Sequence, residues 1–317
     1  MKETALPHLD DFLLNIQTNN YSAETLYNYE RDLKVFEIFL RDDAKIDFDN
    51  TTKNVIEQYK GFLVSRDRKT SSGEVAVKNL SAGSVNRNLS SLRRYLKYLI
   101  EMDYNVPVAP DVIRLIKTPK KHARVAEFDQ LVKLIETPTI FEKNKIVAIR
   151  NRTMLEVLFA TGMRISELIS IDRNQIDKTG KIFVRGKGKK ERFVYLTERA
   201  MHWINKYLAS RHDNHPALFI PYRGLNFRAK NARVSHNYLQ MKIKQYREYL
   251  GINVPTSAHS LRHGFATYLA ESGANPAAIQ ILLGHESLET TTRYVHASDR
   301  YAEKTHRQFH PLRKKKD

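Results

Sequence analysis

The sequence predicts a mainly α-helical fold with one small β-hairpin, arranged as an N-terminal four-helix domain followed by a mixed α/β domain. The chain has 317 residues, of which 41% are hydrophobic. It is therefore long enough for two domains of about 150 residues, each with its own core. Apolar residues recur at helical spacing through the first hundred residues. In the second half, helical patterns surround two alternating segments that flank a turn rich in glycine and lysine.

Four helical segments predict the first domain, residues 1–106. Ser22 is the expected N-cap of the second segment. The fourth segment carries one apolar stripe, with Arg87, Arg94 and Lys97 on its other face. The first and third segments show weaker patterns. The four predicted helices are residues 7–19, a helix that follows Ser22, residues 52–66 and residues 84–101.

A proline-punctuated basic stretch, residues 107–122, follows the helices and ends close to Lys120 and Lys121. It has no amphipathic order, which is typical of an extended linker between domains. Residues 123–317 then form the predicted second domain.

Turn and capping residues delimit the elements of the second domain. Gly186, Lys187 and Gly188 occupy the tip of a predicted β-hairpin. Asn275 is the expected N-cap of a late helix, with Pro276 at its first helical position. The predicted strands are residues 181–185 and 192–196, and the main predicted helices are residues 128–136, 150–159, 260–272 and the helix that Asn275 begins.

The charge balance points to a polyanionic partner. Lysine and arginine number 53 against 35 aspartate and glutamate residues, which gives a net charge of +18. Such an excess attracts nucleic acid. The chain has no cysteine, which excludes disulfides, zinc fingers, iron–sulfur clusters and thiol nucleophiles. No apolar run reaches the about 18 residues of a membrane span, so we expect a cytoplasmic protein associated with the nucleoid.

Five basic residues are candidates for contacts with the DNA backbone: Arg87, Arg94, Lys97, Lys120 and Lys121. A basic helix face is as often simply solvated, and the global charge excess is what favours phosphate contact. If the basic residues of the fourth helix and the lysines of the linker both bind DNA, the two domains would form a clamp around the duplex.

Four short segments of the second domain carry the residues that phosphodiester chemistry requires: residues 160–168, 186–188, 259–263, and 283–285 with Tyr294 nine residues later. Attack on phosphorus builds negative charge, which the planar forks of Arg164 and Arg262 can stabilise. Without a thiol the nucleophile must be a hydroxyl, and a tyrosine phenol is a better leaving group than serine when the step reverses. The site also needs a base and an acid, for which His259 and Lys187 are candidates. His285 can donate a hydrogen bond to the phosphate.

In their order and spacing these segments resemble the tyrosine site-specific recombinases, the phage integrase family, and within it the short Xer-like members. The family's arginine box resembles residues 160–168, and its hairpin lysine falls on Lys187. Its His-x-x-Arg box falls on His259 and Arg262. The Leu-Gly-His box falls on residues 283–285 and the nucleophile on Tyr294. The N-terminal helices resemble the family's core-binding domain.

The resemblance implies a reaction cycle without metal or nucleotide cofactor. Tyr294 would attack the scissile phosphate and form a 3′-phosphotyrosyl link, as in type IB topoisomerase chemistry, and the freed 5′-hydroxyl of a partner duplex would then attack it. Arg164 and Arg262 would clamp the phosphate with help from His285. Lys187 would be the general acid, and His259 a general acid and base.

Family members act as homotetramers on two duplexes with inverted-repeat recombination sites. The resemblance therefore implies that a C-terminal segment, about residues 297–317, docks into a neighbouring subunit. Chromosome dimer resolution, which is a step in chromosome partition, and integration or excision of a mobile element remain alternative roles. An accessory activator protein is a further expected partner.

Three features depart from the family pattern. Asn151 stands where many relatives have an acidic residue before the helix that leads to the arginine box. Residues 67–79 form a longer loop than usual, and residues 139–145 are predicted as an extra loop. None of these is a matched catalytic position.

Two other interpretations stay open from the residues alone. His259 and His263 have the spacing of a zinc pair, but the glutamate of His-Glu-x-x-His is missing, so His263 is expected to pack or hydrogen-bond structurally. Residues 275–283, the turn at Gly284 and a helix from Ser287 resemble a helix-turn-helix. The alternative to an enzyme is therefore a non-catalytic DNA-binding regulator.

Overall fold

Helices make up nearly all the regular structure in the computed structural model of this chain. It describes residues 6–65, 68–75, 79–118, 126–186, 191–224, 229, 231–272, 274–284, 303 and 306–312. The chain divides into two units, Met1–Lys121 and His122–Asp317. No helix within the described ranges has the length and hydropathy of a membrane span.

The first unit contains the four predicted helices. They are α1 (Leu9–Thr18), α2 (Ala23–Ile38), α3 (Lys53–Val64) and α4 (Ala82–Glu101). A π-helical turn at Phe39–Ala44 extends α2. Ser22 caps α2 by accepting a hydrogen bond from the backbone N–H of Thr25, as its sequence position predicts. Thr52 and Ser81 cap α3 and α4 in the same way.

The core of this unit is aromatic. Phe12 from α1, Phe36 from α2, Tyr59 from α3 and Tyr95 from α4 are fully buried. Their rings meet edge to face, with 5.6 Å between the centroids of Phe12 and Tyr95 and 4.8 Å between those of Phe36 and Tyr59. Each of the four helices therefore contributes at least one large ring to the same core.

The stretch that follows α4 is folded onto this unit, whereas its prolines and lysines predict an extended chain. Residues 110–112 form a short 3-10 helix, and Ile113 is buried in the N-terminal core. The Asn86 side chain exchanges two hydrogen bonds with the backbone of Ile116, at 2.9 and 2.8 Å. The apolar residues between the prolines explain the difference, because they have a core to enter.

The second unit is helical around one hairpin. Its helices are α5 (Phe128–Glu136), α6 (Pro138–Phe141), α7 (Lys145–Thr161), α8 (Ile165–Ser170), α9 (Glu198–Ala209), α10 (His236–Tyr249), α11 (Ala258–Glu271) and α12 (Pro276–Leu283). Strands β1 (Lys181–Arg185) and β2 (Glu191–Tyr195) pair antiparallel, with Val184 opposite Arg192. Asn275 caps α12 and Pro276 is its first residue, as the sequence predicts.

Helix α7 is the centre of this unit, and every residue from Ala148 to Thr161 is buried. It packs against α6, α9 and α11. The sequence predicts only residues 150–159 as helix, but α7 begins at Lys145 with Asn144 as its N-cap. A helix that is buried on all sides has no polar face, so its periodic signal is weak. Asn151 therefore lies inside α7 and not before the helix. Residues 139–145, predicted as an extra loop, include the end of α6 and the first residue of α7.

Asn151 is completely buried at the centre of a polar network. Its amide donates to the hydroxyls of Tyr238 and Tyr246 at 3.0 and 2.7 Å, and its oxygen accepts from Arg150 at 2.9 Å. The amide satisfies donors and acceptors at once, which a carboxylate cannot do.

The described part of the C-terminal segment packs on the end of α7. Nε2 of His306 lies 2.5 Å from the carbonyl oxygen of Ala160, and Nε2 of His310 lies 3.1 Å from that of Phe159. Both imidazoles are buried. Burial lowers the pKa of His306 to about 4 and holds that of His310 well below its usual value. Both rings are therefore neutral at neutral pH.

Candidate active site

Arg164 follows a tight turn between α7 and α8 and is the N-cap residue of α8. Three residues on, the carboxylate of Glu167 accepts a hydrogen bond from the Arg164 backbone N–H at 2.7 Å and one from its Nη1 at 3.1 Å. The Arg164 side chain is 34% exposed. Its guanidinium is therefore oriented from one side and open to a ligand on the other.

The turn before Arg164 depends on Gly162, which ends α7 in the left-handed conformation with φ +62°. A Cβ at this position would lie 2.3 Å from Cδ1 of Phe265 in α11. Only glycine lets α11 approach the turn this closely.

Arg262 lies in α11 and is buried against the same turn. Its Nη1 donates to the carbonyl of Gly162 at 2.8 Å, and its Nη2 donates to the carbonyl of Leu283 at 2.7 Å. Burial, followed by the charges of Arg164 and Arg192, lowers the pKa of Arg262 to about 10. The guanidinium keeps its charge at neutral pH.

Three arginines meet at the carboxyl end of α12. Arg192 Nε donates to Leu282 O at 2.8 Å, Arg262 Nη2 to Leu283 O at 2.7 Å, and Arg164 Nη2 to Gly284 O at 3.3 Å. A helix terminus carries unpaired carbonyls and partial negative charge, so cations stabilise it. The point where the chain leaves α12 toward position 285 is held by three side chains from different elements.

Glu167 is the one carboxylate that the structure shows bonded to this cluster, among the residues it describes. It is buried and accepts both Nη atoms of Arg192, at 2.9 and 2.7 Å. Burial opposes its ionisation, but the hydrogen bonds and charge of Arg192, followed by the hydrogen bonds from Arg164, lower its pKa. Glu167 is therefore ionised, and three guanidiniums share one negative charge.

The hairpin lies against the same cluster. A Cβ built at Gly186, the residue before Lys187, would lie 3.1 Å from Oε1 of Glu167 and 3.5 Å from Nη1 of Arg164. The missing side chain lets the end of β1 reach the arginine box.

The structure thus brings Arg164 and Arg262 together, as the chemistry of a phosphodiester requires. His259 lies one turn before Arg262 on α11 and is exposed. Lys187, His285 and Tyr294 lie outside the described residues, and their positions in the site stay predictions. Gly186 and Gly284, which directly precede Lys187 and His285 in the sequence, both lie at the arginine cluster.

His263 is exposed, so the packing half of its expected structural role, packing or hydrogen bonding, is wrong. The reason is its place on α11, one residue after the buried Arg262 and on the outward side. The described ranges contain no group of three or more histidine and acidic side chains that could hold a metal ion.

Two contributors to the cluster, Arg192 and Glu167, were not singled out from the sequence. Glu167 stands at the third position of α8, where an acidic residue serves as half of a capping box. Arg192 lies two residues before the buried Val194 in β2, so the two side chains share the inward face of the strand, and this spacing was the available signal.

The basic residues of α4 have a different environment. Arg87 Nη2 lies 2.8 Å from the buried carboxylate of Asp32, and Arg94 Nη1 lies 2.7 Å from the exposed carboxylate of Glu101. Lys97 is exposed and has no ion pair within the described part of the chain. Lys120 and Lys121 are outside the described residues. DNA contact by these five side chains stays a prediction.

Comparison with known proteins identifies relatives of both units. Residues 124–300 match the phage integrase family, and residues 9–102 match the phage integrase N-terminal SAM-like domain. The chain is 32% identical over 314 residues to the tyrosine recombinase XerD of Staphylococcus epidermidis strain RP62A, covering 96% of this chain and 98% of the relative. It is 30% identical over 311 residues to XerD of Staphylococcus haemolyticus, with the same coverage.

Solved structures share the fold. The XerH site-specific recombinase in its post-cleavage complex with palindromic difH substrate has a TM-score of 0.66 at 20% identity, covering 93% of this chain and 82% of that one. A lambda integrase dimer bound to a COC′ core site has a TM-score of 0.66 at 17% identity, covering 88% of this chain and 94% of that one.

Proposed function

Because this chain belongs to the phage integrase family of tyrosine recombinases, we propose that it cuts and rejoins DNA at specific sites through a 3′-phosphotyrosyl intermediate formed by Tyr294. The observation that carries this proposal is the arginine cluster. Among the described residues, one carboxylate, Glu167, bonds this cluster of three arginines through Arg164 and Arg192, and the remaining bonds of the cluster, including both bonds of Arg262, go to neutral carbonyls. Two positive charges are left for an anion, and a scissile phosphate is an anion with matching oxygens.

In the proposed reaction the phenol oxygen of Tyr294 forms a bond to phosphorus as the bond from phosphorus to O5′ breaks. His259 takes the phenolic proton, and Lys187 gives a proton to O5′. Arg164 and Arg262, with His285, stabilise the charge that builds on the two non-bridging oxygens. The 5′-hydroxyl of the partner strand reverses these steps on the new junction, so no bond energy is lost to hydrolysis.

The environment of Arg262 suits this role. Its two carbonyl partners carry no net charge, so the guanidinium is oriented without being neutralised. Oriented charges that need no rearrangement during reaction are the most effective form of electrostatic catalysis.

We further propose an Xer-type role, since the full-length relatives are named XerD. The partner would be duplex DNA with an inverted-repeat site in the nucleoid, bound by a homotetramer that an accessory protein activates. Binding-site selection from random DNA, followed by location of the matches in the host chromosome, tests this role. One site near the replication terminus supports dimer resolution, and sites at element ends support a mobile element.

A nicked suicide duplex that carries the selected site tests the chemistry. The parent protein should form a protein–DNA adduct that survives denaturation, and Tyr294→Phe should abolish the adduct while it retains DNA binding. Tyr249→Phe is the matched control, because Tyr249 is an exposed residue of α10. An adduct that persists in Tyr294→Phe contradicts the assignment, and binding without any adduct in the parent supports a DNA-binding regulator.

A further inference from the structure

Arg192 joins three segments that are far apart in the sequence. It belongs to β2, its Nη1 and Nη2 grip the two carboxylate oxygens of Glu167 in α8, and its Nε holds Leu282 O at the end of α12. The side chains of Arg192 and Glu167 are 8% and 2% exposed. One guanidinium therefore uses three of its donors, all in directions that the planar fork fixes.

The bonds from Arg192 matter because they compensate the negative charge of Glu167. A buried carboxylate requires a cationic partner, and within the described residues the two arginines bonded to it are Arg164 and Arg192. Arg192 satisfies both carboxylate oxygens at short distances, whereas Arg164 makes one side-chain contact at 3.1 Å. Without Arg192, the whole carboxylate charge would act on Arg164.

Arg192 also attaches the hairpin to the site. Its strand pairs with β1, where Arg185 lies opposite Glu191 and Val184 opposite Arg192. The turn that joins the two strands carries Lys187 in the sequence. A displacement of Arg192 would therefore shift the hairpin relative to the arginine box.

We propose that Arg192 is a positioning residue for DNA cleavage. It neutralises Glu167, so the donors of Arg164 stay available to the scissile phosphate, and it fixes the end of α12 from which the chain continues to His285. This inference rests on the proposed recombinase function.

The test measures the single-turnover rate of adduct formation on the suicide duplex at saturating protein. Arg192→Gln should lower the rate by about 10- to 100-fold, the range expected when a reacting group is displaced without being removed. Affinity for the DNA site should change little. Arg185→Gln is the matched control from the same hairpin, because Arg185 pairs with Glu191 on the surface, and it should cleave at the parent rate.

A second substitution separates charge neutralisation from a purely structural role. In the Arg192→Gln background, Glu167→Gln removes the charge that falls on Arg164, so the double variant should cleave faster than Arg192→Gln alone. If Arg192 only supports the fold, the second substitution slows cleavage further, and the proposal is overturned.

Arg192→Lys keeps the test decisive if Arg192→Gln does not fold. Lysine retains the positive charge but cannot grip two oxygens and a carbonyl at once, so its rate should lie between those of the parent and Arg192→Gln. Circular dichroism and the thermal midpoint verify folding. Arg192→Lys cleaving as fast as Arg185→Gln overturns the inference. A parent that forms no adduct refutes the recombinase function itself, which is a distinguishable failure.

Discussion

The basic face of α4 and the arginine cluster of the second unit use the same residue type in opposite ways. On α4, Arg94 pairs with the carboxylate of Glu101, and Arg87 pairs with that of Asp32, which also lies 3.8 Å from Arg31. In the second unit, Arg164 and Arg192 both bond Glu167, Arg262 bonds only carbonyls, and the other observed bonds of all three go to carbonyls at the ends of helices. The first arrangement pairs each arginine with a carboxylate of the same unit, and the second keeps charge available for an anion.

The comparison shows that the groups to which the arginines are hydrogen-bonded, more than the number of arginines, decide whether a basic cluster can bind an anion. A carboxylate neutralises a guanidinium and fixes it, whereas a carbonyl fixes it and leaves the charge in place. Arg262 is oriented in this second way, whereas Arg164 bonds both the carbonyl of Gly284 and the carboxylate of Glu167, which Arg192 also binds. By the same criterion Lys97, whose charge is unpaired in the described part of the chain, is better placed than Arg87 or Arg94 to contact a phosphate.

The largest expected effect follows from removing an arginine of the cluster. Arg262→Gln should slow adduct formation by about 1000-fold, because it deletes a preorganised charge beside the reacting phosphate. Arg94→Gln, which loses a partly exposed ion pair with Glu101, should stay close to the parent rate. Single-turnover cleavage of the suicide duplex measures both. Equal rates in the two variants would contradict the distinction between the two clusters.

The next expected effect is a change in the free energy of unfolding when a glycine of either unit is replaced by alanine. Gly162→Ala should lower the free energy of unfolding by about 1–3 kcal/mol, since a left-handed residue acquires a Cβ that meets the ring of Phe265. Gly61 lies inside α3, where an added methyl group would have no neighbouring atom within 4 Å. Gly61→Ala should therefore raise stability by about 0.5–1 kcal/mol. Urea denaturation measures both changes, and a neutral Gly162→Ala would show that the turn does not need glycine.

Local signals in the sequence predicted most of the fold. The caps Ser22 and Asn275 stand where the sequence places them, because a cap and its partner lie within three residues. The limits of α7 were not predicted, since burial on every side removes the periodic pattern. The stretch from α4 to Ile116 was predicted to be extended because of its prolines. It is folded onto the first unit, and its contact with Asn86 could not be predicted because the two residues are 30 positions apart.

The candidate site could be predicted as a list of residues but not as an arrangement. Arg262 and Gly162 are 100 residues apart, and Arg192 and Leu282 are 90 apart. Neither pairing has a local signature. For the same reason Arg87 and Arg262 look alike in the sequence, although one faces a buried aspartate and the other faces two carbonyls.

A smaller expected effect is the loss of stability of the second unit as the pH falls. His306 has a folded-state pKa of about 4, below the about 6.5 of an unfolded histidine. Between these values the unfolded chain binds more protons, so stability is fully present above pH 6.5 and falls as the pH drops toward 4. From about pH 7.5 to about pH 5.5 the loss from His306 should be about 1 kcal/mol. His310 adds to it in the same direction.

Urea denaturation at the two pH values, with His306→Gln as the comparison, measures this loss. The variant should show a smaller pH dependence, since the amide can still donate to the carbonyl of Ala160 and does not titrate. A pH dependence that His306→Gln leaves unchanged would assign the loss to other groups.

The smallest effect tests whether unpaired charge on α4 contacts DNA. Lys97→Ala should weaken binding to the selected site and reduce the slope of log affinity against log salt by about 0.9, the contribution of one phosphate contact. At saturating DNA its cleavage rate should equal that of the parent, because a backbone contact positions the duplex and does not act on the reacting bond. Arg94→Gln, one turn away on α4, should change the salt slope less, since Glu101 already compensates its charge. A larger change in Arg94→Gln than in Lys97→Ala would mean that the Arg94–Glu101 pair opens when DNA binds, and that pairing in the free protein does not decide which cations reach the duplex.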